Sequence, residues 1–166
     1  MLPTLYMMCG LPGSGKSSLA RKIRDSAEEG SVEIHSSDAL RAELFGDATW
    51  HGNEKYLFST LHRNIENCLW SGRSAVYDAT NLRGSFRRNY LHTLENAGLQ
   101  FHKVCIFVDT PYEECLRRNA ARERIVPEEV IASMARILRR PERTEGWDKI
   151  LIVQLSGWNE EGRLLE

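Results

Sequence analysis

The apolar positions of this chain fall in short unbroken runs that alternate with stretches of helical period. Leu5 to Cys9 is an apolar run bounded by Pro3 and Gly10, the composition of a strand buried on both faces of a parallel sheet. From Ser17 to Arg24 the period changes, and Leu19, Ala20 and Ile23 fall on one helical face. Val32 to His35 is a second strand ending in Ser36-Ser37-Asp38, with a short helical stretch from Asp38 to Phe45. Asn53 to Trp70 predicts a longer helix with Leu57, Leu61, Ile65 and Leu69 inward. Ser74 to Asp78 is the third strand, followed by a helix from about Ser85 to Ala97 stopped by Gly98. Phe101 to Val108 is the fourth strand, Tyr112 to Ala121 and Pro127 to Leu138 are helical, and Ile150 to Leu155 is the fifth strand. Strands separated by helices imply an α/β fold, a five-stranded parallel sheet flanked by helices. No repeat or linker interrupts the pattern, so residues 1–166 read as one domain.

Between the first strand and the first helix lie Gly10, Leu11, Pro12, Gly13, Ser14, Gly15, Lys16 and Ser17, with Ser18 next, which fit the phosphate-loop pattern G-x-x-x-x-G-K-[ST]. Glycine lets main-chain N–H groups converge on an anion, and the helix start adds unpaired N–H groups and its positive dipole end. Lys16 is expected to reach the β- and γ-phosphates of ATP or another nucleoside triphosphate, and the Ser17 hydroxyl to ligate Mg²⁺. Asp78 ends the third strand on the same side, where a carboxylate orients the metal directly or through Ser17.

Composition narrows the class. A net charge of −1 means that any nucleic-acid contact must come from local patches. The four cysteines, Cys9, Cys68, Cys105 and Cys115, lie in predicted elements without metal-ligand spacing, which suits buried free thiols and a cytoplasmic protein. The N-terminal apolar run is too short to span a membrane. Neither Asp78 nor Asp109 is followed by the glutamate of a hydrolytic motor, and no Asn-Lys-x-Asp element for guanine occurs. What remains is the small-kinase branch of loop proteins.

Transfer to a hydroxyl needs a proton acceptor, and Asp38 follows the second strand at the carboxyl end of the sheet, where ligands of such folds bind. The position also suits a helix N-cap, and one aspartate can do both. Arg41 lies one turn on, able to bind an anionic part of the acceptor or to pair with Glu43 or Asp47. Thr80 and Asn81 offer a hydroxyl and an amide to a phosphate or sugar, or to their own turn. Arg83, Arg87 and Arg88 form a basic stripe suited to backbone phosphates or to solvent. The segment from Arg117 to Arg143 is locally cationic, and Arg118 and Arg122, four apart on a helix, could grip phosphates together as a lid.

Three segments resemble the polynucleotide 5′-hydroxyl kinases of phage and bacterial RNA repair, within the wider group of P-loop small kinases. They are Asp38-Ala39-Leu40-Arg41, Asp78-Ala79-Thr80-Asn81-Leu82, and Arg118-Asn119-Ala120-Ala121-Arg122-Glu123-Arg124-Ile125-Val126-Pro127. The resemblance implies a P-loop kinase fold with an arginine-bearing helical lid at about 117–143. It makes Lys16 and Ser17 the holders of ATP and Mg²⁺ and Asp38 the general base. Arg41 becomes the grip on the phosphate 3′ of the terminal nucleoside, and Arg122 reaches over the β- and γ-phosphates. Kinases that phosphorylate aminoacyl-serine on a tRNA share parts of the layout.

The remaining aromatic residues carry less. Trp50-His51 should overhang the acceptor pocket, stacking on a base or packing its loop down. Trp70, Trp147 and Trp158 read as core, and His35, His62, His92 and His102 as structural or surface. The expected activity is ATP-dependent transfer to a hydroxyl, foremost the 5′-OH end of RNA or DNA. A small metabolite, nucleotide sugar or aminoacyl-tRNA as acceptor, or a regulatory module without transfer, are the alternatives. Oligomeric state, and whether the chain is a domain of a larger repair enzyme, stay open.

Overall fold

The computed structural model describes residues 1–154; Leu155 and Trp158 of the sequence reading lie outside the described residues. The strands are β1 (Thr4–Cys9), β2 (Val32–Ser36), β3 (Ser74–Asp78), β4 (His102–Val108) and β5 (Lys149–Val153). They form one five-stranded sheet in the order β2-β3-β1-β4-β5, with every pair parallel. The helices are α1 (Lys16–Ser26), α2 (Ser37–Phe45), α3 (Glu54–Trp70), α4 (Gly84–Asn96), α5 (Tyr112–Ala120) and α6 (Glu128–Ile137), with a 3₁₀ turn at Arg143–Glu145. This is the α/β arrangement the alternation predicts, with α5 and α6 as the arginine-bearing helical lid.

The central strands β3, β1 and β4 are buried on both faces toward their carboxyl ends because they are apolar there at successive positions, not at alternate ones. Leu5, Met7 and Cys9 face a core shared with Tyr77, Phe107, Leu57, Leu61 and Ile65 of α3 and Leu91 and Leu94 of α4. Met8 turns the other way, toward Val76, Ile106, Val108 and the α1 residues Leu19 and Ala20. Each leucine, isoleucine, valine, phenylalanine or methionine among them stabilises the fold by about 1.5–3 kcal/mol. Both faces of β1 are therefore anchored, and its carboxyl end holds the following loop in a fixed place.

Two surface readings are corrected here. Arg87, expected on an exposed basic stripe, has no solvent exposure; it donates to both carboxylate oxygens of Glu145 and to the carbonyls of Asn81 and Arg139. Trp70, expected in the core, is 56% exposed at the end of α3. Trp147 is buried as expected, its Nε1 donating to Glu145 Oε1 at 3.0 Å. All four cysteines are buried free thiols, and burial pushes Cys9 up to about 11 and Cys68 up to about 12. Among the described residues no helix is long and apolar enough to cross a membrane.

Candidate active site

The loop from Gly10 to Ser17 joins β1 to α1 and is closed by its neighbours. Gly10 N donates to Thr80 O at 3.1 Å, and Thr110 Oγ1 to Ser14 O at 2.7 Å. Gly13 and Gly15 have φ of 80° and 106°, the left-handed region that favours glycine. A Cβ on Gly13 would also lie 2.5 Å from the carbonyl oxygen of Cys115, so α5 packs directly on the loop. Gly15 is the N-cap of α1, so the helix aims its open amino end at the anion position.

Lys16 is buried and its Nζ donates to Leu11 O at 2.8 Å, folding the ammonium back across the loop. Burial pushes its pKa down, and the charge of Arg122 adds to that while Asp78 opposes it. Asp78 is pushed the other way by burial, partly offset by Lys16 and by the Ser17 hydroxyl. Ser17 Oγ donates to Asp78 Oδ2 at 2.8 Å. This oxygen pair at the mouth of the loop is the donor chemistry a hard divalent cation takes.

Across the cleft, Ser36 and not Asp38 caps α2, its hydroxyl accepting from Ala39 N at 3.2 Å. Asp38 is thereby released from capping and opens on the cleft, with each carboxylate oxygen held by an arginine. Arg41 Nη1 lies 2.8 Å from Oδ1, and Arg124 Nη1 2.6 Å from Oδ2. Arg41 is 3% exposed and saturated. Its Nε and Nη2 donate to Glu54, and its Nη1 also reaches Ala48 O. The partners Glu43 and Asp47 suggested by sequence spacing are replaced by Asp38 and by Glu54 of α3.

The lid is built from α5, the loop after it and α6. α5 ends at Ala120, so Arg118 and Arg122 do not share a helical face; Arg122 stands in the next turn, its N–H bonded to Asn119 O. Both arginines still line the cleft. The loop is clipped shut by Asn119, whose amide donates to Val126 O at 2.7 Å and accepts from Val126 N at 3.0 Å. Arg118 donates to Glu114 Oε1 at 2.9 Å and to Ser14 O at 3.4 Å, tying α5 to the phosphate loop. Hydrogen bonds from Arg117 and Arg118 pull Glu114 down to about 2.

These elements enclose one continuous cleft of ≈ 1390 Å³ that holds Lys16, Ser17, Asp38, Arg41, Asp78, Thr80, Arg118 and Arg122 together. Pro12, Gly13, Gly15 and Ser18 line it as well, whereas Gly10, Leu11 and Ser14 shape the loop from behind. Two expected acceptor ligands are not brought in. Asn81 is buried at φ 45°, its amide donating to Met8 O at 2.7 Å, and Arg83 lies outside the cleft as the N-cap residue of α4.

Residues 5–141 match a family model described as an AAA domain, AAA_33. The chain belongs to the AAA_33 family. The L-seryl-tRNA(Sec) kinase of Methanococcus maripaludis is 25% identical to this AAA_33 domain over 147 residues, covering 87% of the chain and 56% of that protein. The chain thus spans about half the length of this curated relative. A Pnkp1/Rnl/Hen1 RNA repair complex superposes with TM-score 0.68 at 22% identity, over 82% of this chain and 44% of its own. A sugar kinase from Janibacter sp. HTCC2649 superposes with TM-score 0.65 at 18% identity, over 93% and 87%. The AAA_33 domain is a P-loop domain of the kinase type, and its neighbours in fold include both an RNA repair complex and a sugar kinase.

The AAA_33 cleft also contains groups that sequence reasoning missed. Glu54 fixes Arg41 from 13 positions away, a pairing no helical spacing announces. Phe58, Val126, Val130 and Met134 line the cleft; the last three recur at every fourth residue, a signal that reads equally as a core face. His51, which the sequence reading did set over the pocket, reaches the cleft and bonds Glu54 Oε1 at 3.2 Å. Trp50 packs on Phe45, ring centroids 4.5 Å apart, and so holds the loop down.

Proposed function

We propose that this domain, residues 1–166 with its lid at about 117–143, transfers the γ-phosphate of ATP to a hydroxyl, and that the hydroxyl is the 5′ end of RNA or DNA. The observation that carries the reading is the placement of Asp38 in the same cleft as Lys16, Ser17 and Asp78. A carboxylate there takes the proton of an incoming hydroxyl as its oxygen attacks the γ-phosphorus. The bond to the β–γ bridging oxygen breaks and ADP leaves. Lys16 turns from Leu11 O to the β- and γ-oxygens, and Arg118 and Arg122 neutralise charge gathering on the leaving group. Ser17 and Asp78 are the residues that would hold Mg²⁺, which when bound offsets the charge of the β- and γ-phosphates.

The acceptor is inferred from the lining. A cleft of ≈ 1390 Å³ exceeds the roughly 300–1,000 Å³ of a site for one small ligand, which gives room for a donor and an acceptor together. Phe58, Val126, Val130 and Met134 line the same cleft as Thr80 and His51, and apolar surface with such polar groups suits a nucleobase and its sugar. The RNA repair complex among the structural neighbours supports this reading, whereas the relative named for seryl-tRNA supports an aminoacyl-tRNA acceptor. A second reading, transfer to a small hydroxylated metabolite, is favoured by the saturation of Arg41, which offers no donor to an acceptor phosphate while Glu54 and Asp38 hold it.

The test is incubation with γ-labelled ATP and a panel of 5′-hydroxyl oligonucleotides, tRNA, nucleosides and sugars. Label entering oligonucleotide ends supports the reading. Label entering only sugars or nucleosides replaces it by the second, and ATP binding without transfer to any acceptor overturns both.

A further inference from the structure

Beside the cleft, the loop after β3, the last turn of α6, the segment that follows it and the 3₁₀ turn carry four exposed arginines: Arg83, Arg136, Arg139 and Arg143. Backbone contacts stitch these segments to one another. Arg139 N donates to Leu82 O at 2.9 Å, and the buried Arg87 binds Arg139 O and Glu145 at once. That hub fixes the start of α4 against the turn carrying Arg143, and Gly84 lies against the Glu145 carboxylate. The rim continues from the site itself: Thr80 lines the cleft just before Leu82, and Met134 lines it just before Arg136.

None of the four has an ion-pair partner among the described residues, whereas neighbouring Arg140 is paired with Asp109. The acid among them is Glu142, which caps its own turn and accepts from Thr144. Arg139 uses Nη1 to cap the last carbonyls of α6, leaving Nε and Nη2. In a chain of net charge −1, an unpaired run of arginines on one rim is a local anion track. Guanidinium groups bind phosphate oxygens in pairs of hydrogen bonds, and sequence-neutral strand binding is built from such contacts.

We infer that Arg83, Arg136, Arg139 and Arg143 bind the phosphodiester backbone of a single-stranded acceptor downstream of its reacting end. This rests on the polynucleotide reading of the cleft. It extends that reading by giving the strand an exit over the β3–α4 corner.

The experiment measures anisotropy of a labelled single-stranded 5′-hydroxyl RNA of about 20 nucleotides over a salt series, where each lost contact lowers the slope by about 0.7. The Arg83→Gln/Arg136→Gln/Arg143→Gln variant should bind at least about tenfold more weakly, with a salt slope reduced by about 2. Arg24→Gln/Arg73→Gln, exposed arginines outside the rim, should leave the slope unchanged. A rim variant with wild-type affinity and slope, or a wild-type protein that does not bind the RNA, overturns the track. Slope loss in a protein that phosphorylates only small acceptors keeps the track and overturns the acceptor reading. Circular dichroism confirms that each variant is folded, and Arg143→Lys, which keeps charge, should recover part of the slope.

Discussion

Arg87 and Glu145 meet in parallel, Nε to Oε1 at 2.8 Å and Nη2 to Oε2 at 2.9 Å, with neither reaching solvent appreciably. Removing one partner leaves the other charged and buried, which costs about 3–5 kcal/mol. Glu145→Ala should therefore lose stability on that scale in urea unfolding. Arg87→Met combined with Glu145→Leu should lose much less, because no charge is stranded.

Asp38→Asn keeps the shape of the carboxylate and removes its proton affinity. We expect turnover to fall by about 10²–10⁴-fold while ATP still binds. Single-turnover transfer beside calorimetric ATP titration checks this, and wild-type transfer would remove Asp38 from the reaction.

Arg122 has no side-chain hydrogen bond or ion pair among the described residues, yet it stands close enough to depress Lys16. A free guanidinium at that place matches the demand of the transition state more than of the bound nucleotide. Arg122→Ala should lower kcat by about 10³-fold with KM for ATP little changed. Arg122→Lys should recover only a small part, since a point charge does not reproduce the fork.

Arg41 holds Asp38, Nη1 to Oδ1 at 2.8 Å, and on the proposed reading it acts through that carboxylate. Arg41→Ala should lower kcat for every acceptor and leave acceptor KM unchanged, and Glu54→Gln should show the same pattern more weakly. A KM increase confined to acceptors that carry a phosphodiester would instead make Arg41 a substrate contact. Initial rates with a nucleoside and a dinucleotide separate the outcomes.

His62 gives the fold an acid-sensitive point. Burial pushes its pKa from the ordinary 6.5 to about 4, and its Nε2 lies 2.8 Å from the Tyr77 hydroxyl. The unfolded chain takes up the proton first, so this contribution is intact above pH 6.5 and is lost as pH falls toward 4. Melting temperature followed over that range should decline in the wild type. The decline should be shallower in His62→Gln.

The fold was legible because apolar runs and helical periods are local properties, and the loop because its glycines, Lys16 and Ser17 are contiguous. The functional half of the cleft was less legible, since it is assembled from side chains distant in sequence. Glu54 gives no sign that it will meet Arg41. Arg87 looked like a surface arginine because its partner Glu145 lies 58 residues later. Arg122 was assigned to a helix that ends two residues earlier, where Asn119 turns its side chain to Val126. Asn81 offered a plausible amide, but Met8 O claims it from the next strand.

The Asn119 clip has a consequence for how this domain could be altered. Because its two hydrogen bonds join the entry and exit of the loop from Ala120 to Ile125, the arginine-bearing stretch is an insert between fixed posts. Its length and charge can be redrawn, by drift or by design, without disturbing the helices that carry it. This arginine-bearing wall of the cleft is thus the part least committed to the core, a replaceable cartridge on a permanent frame.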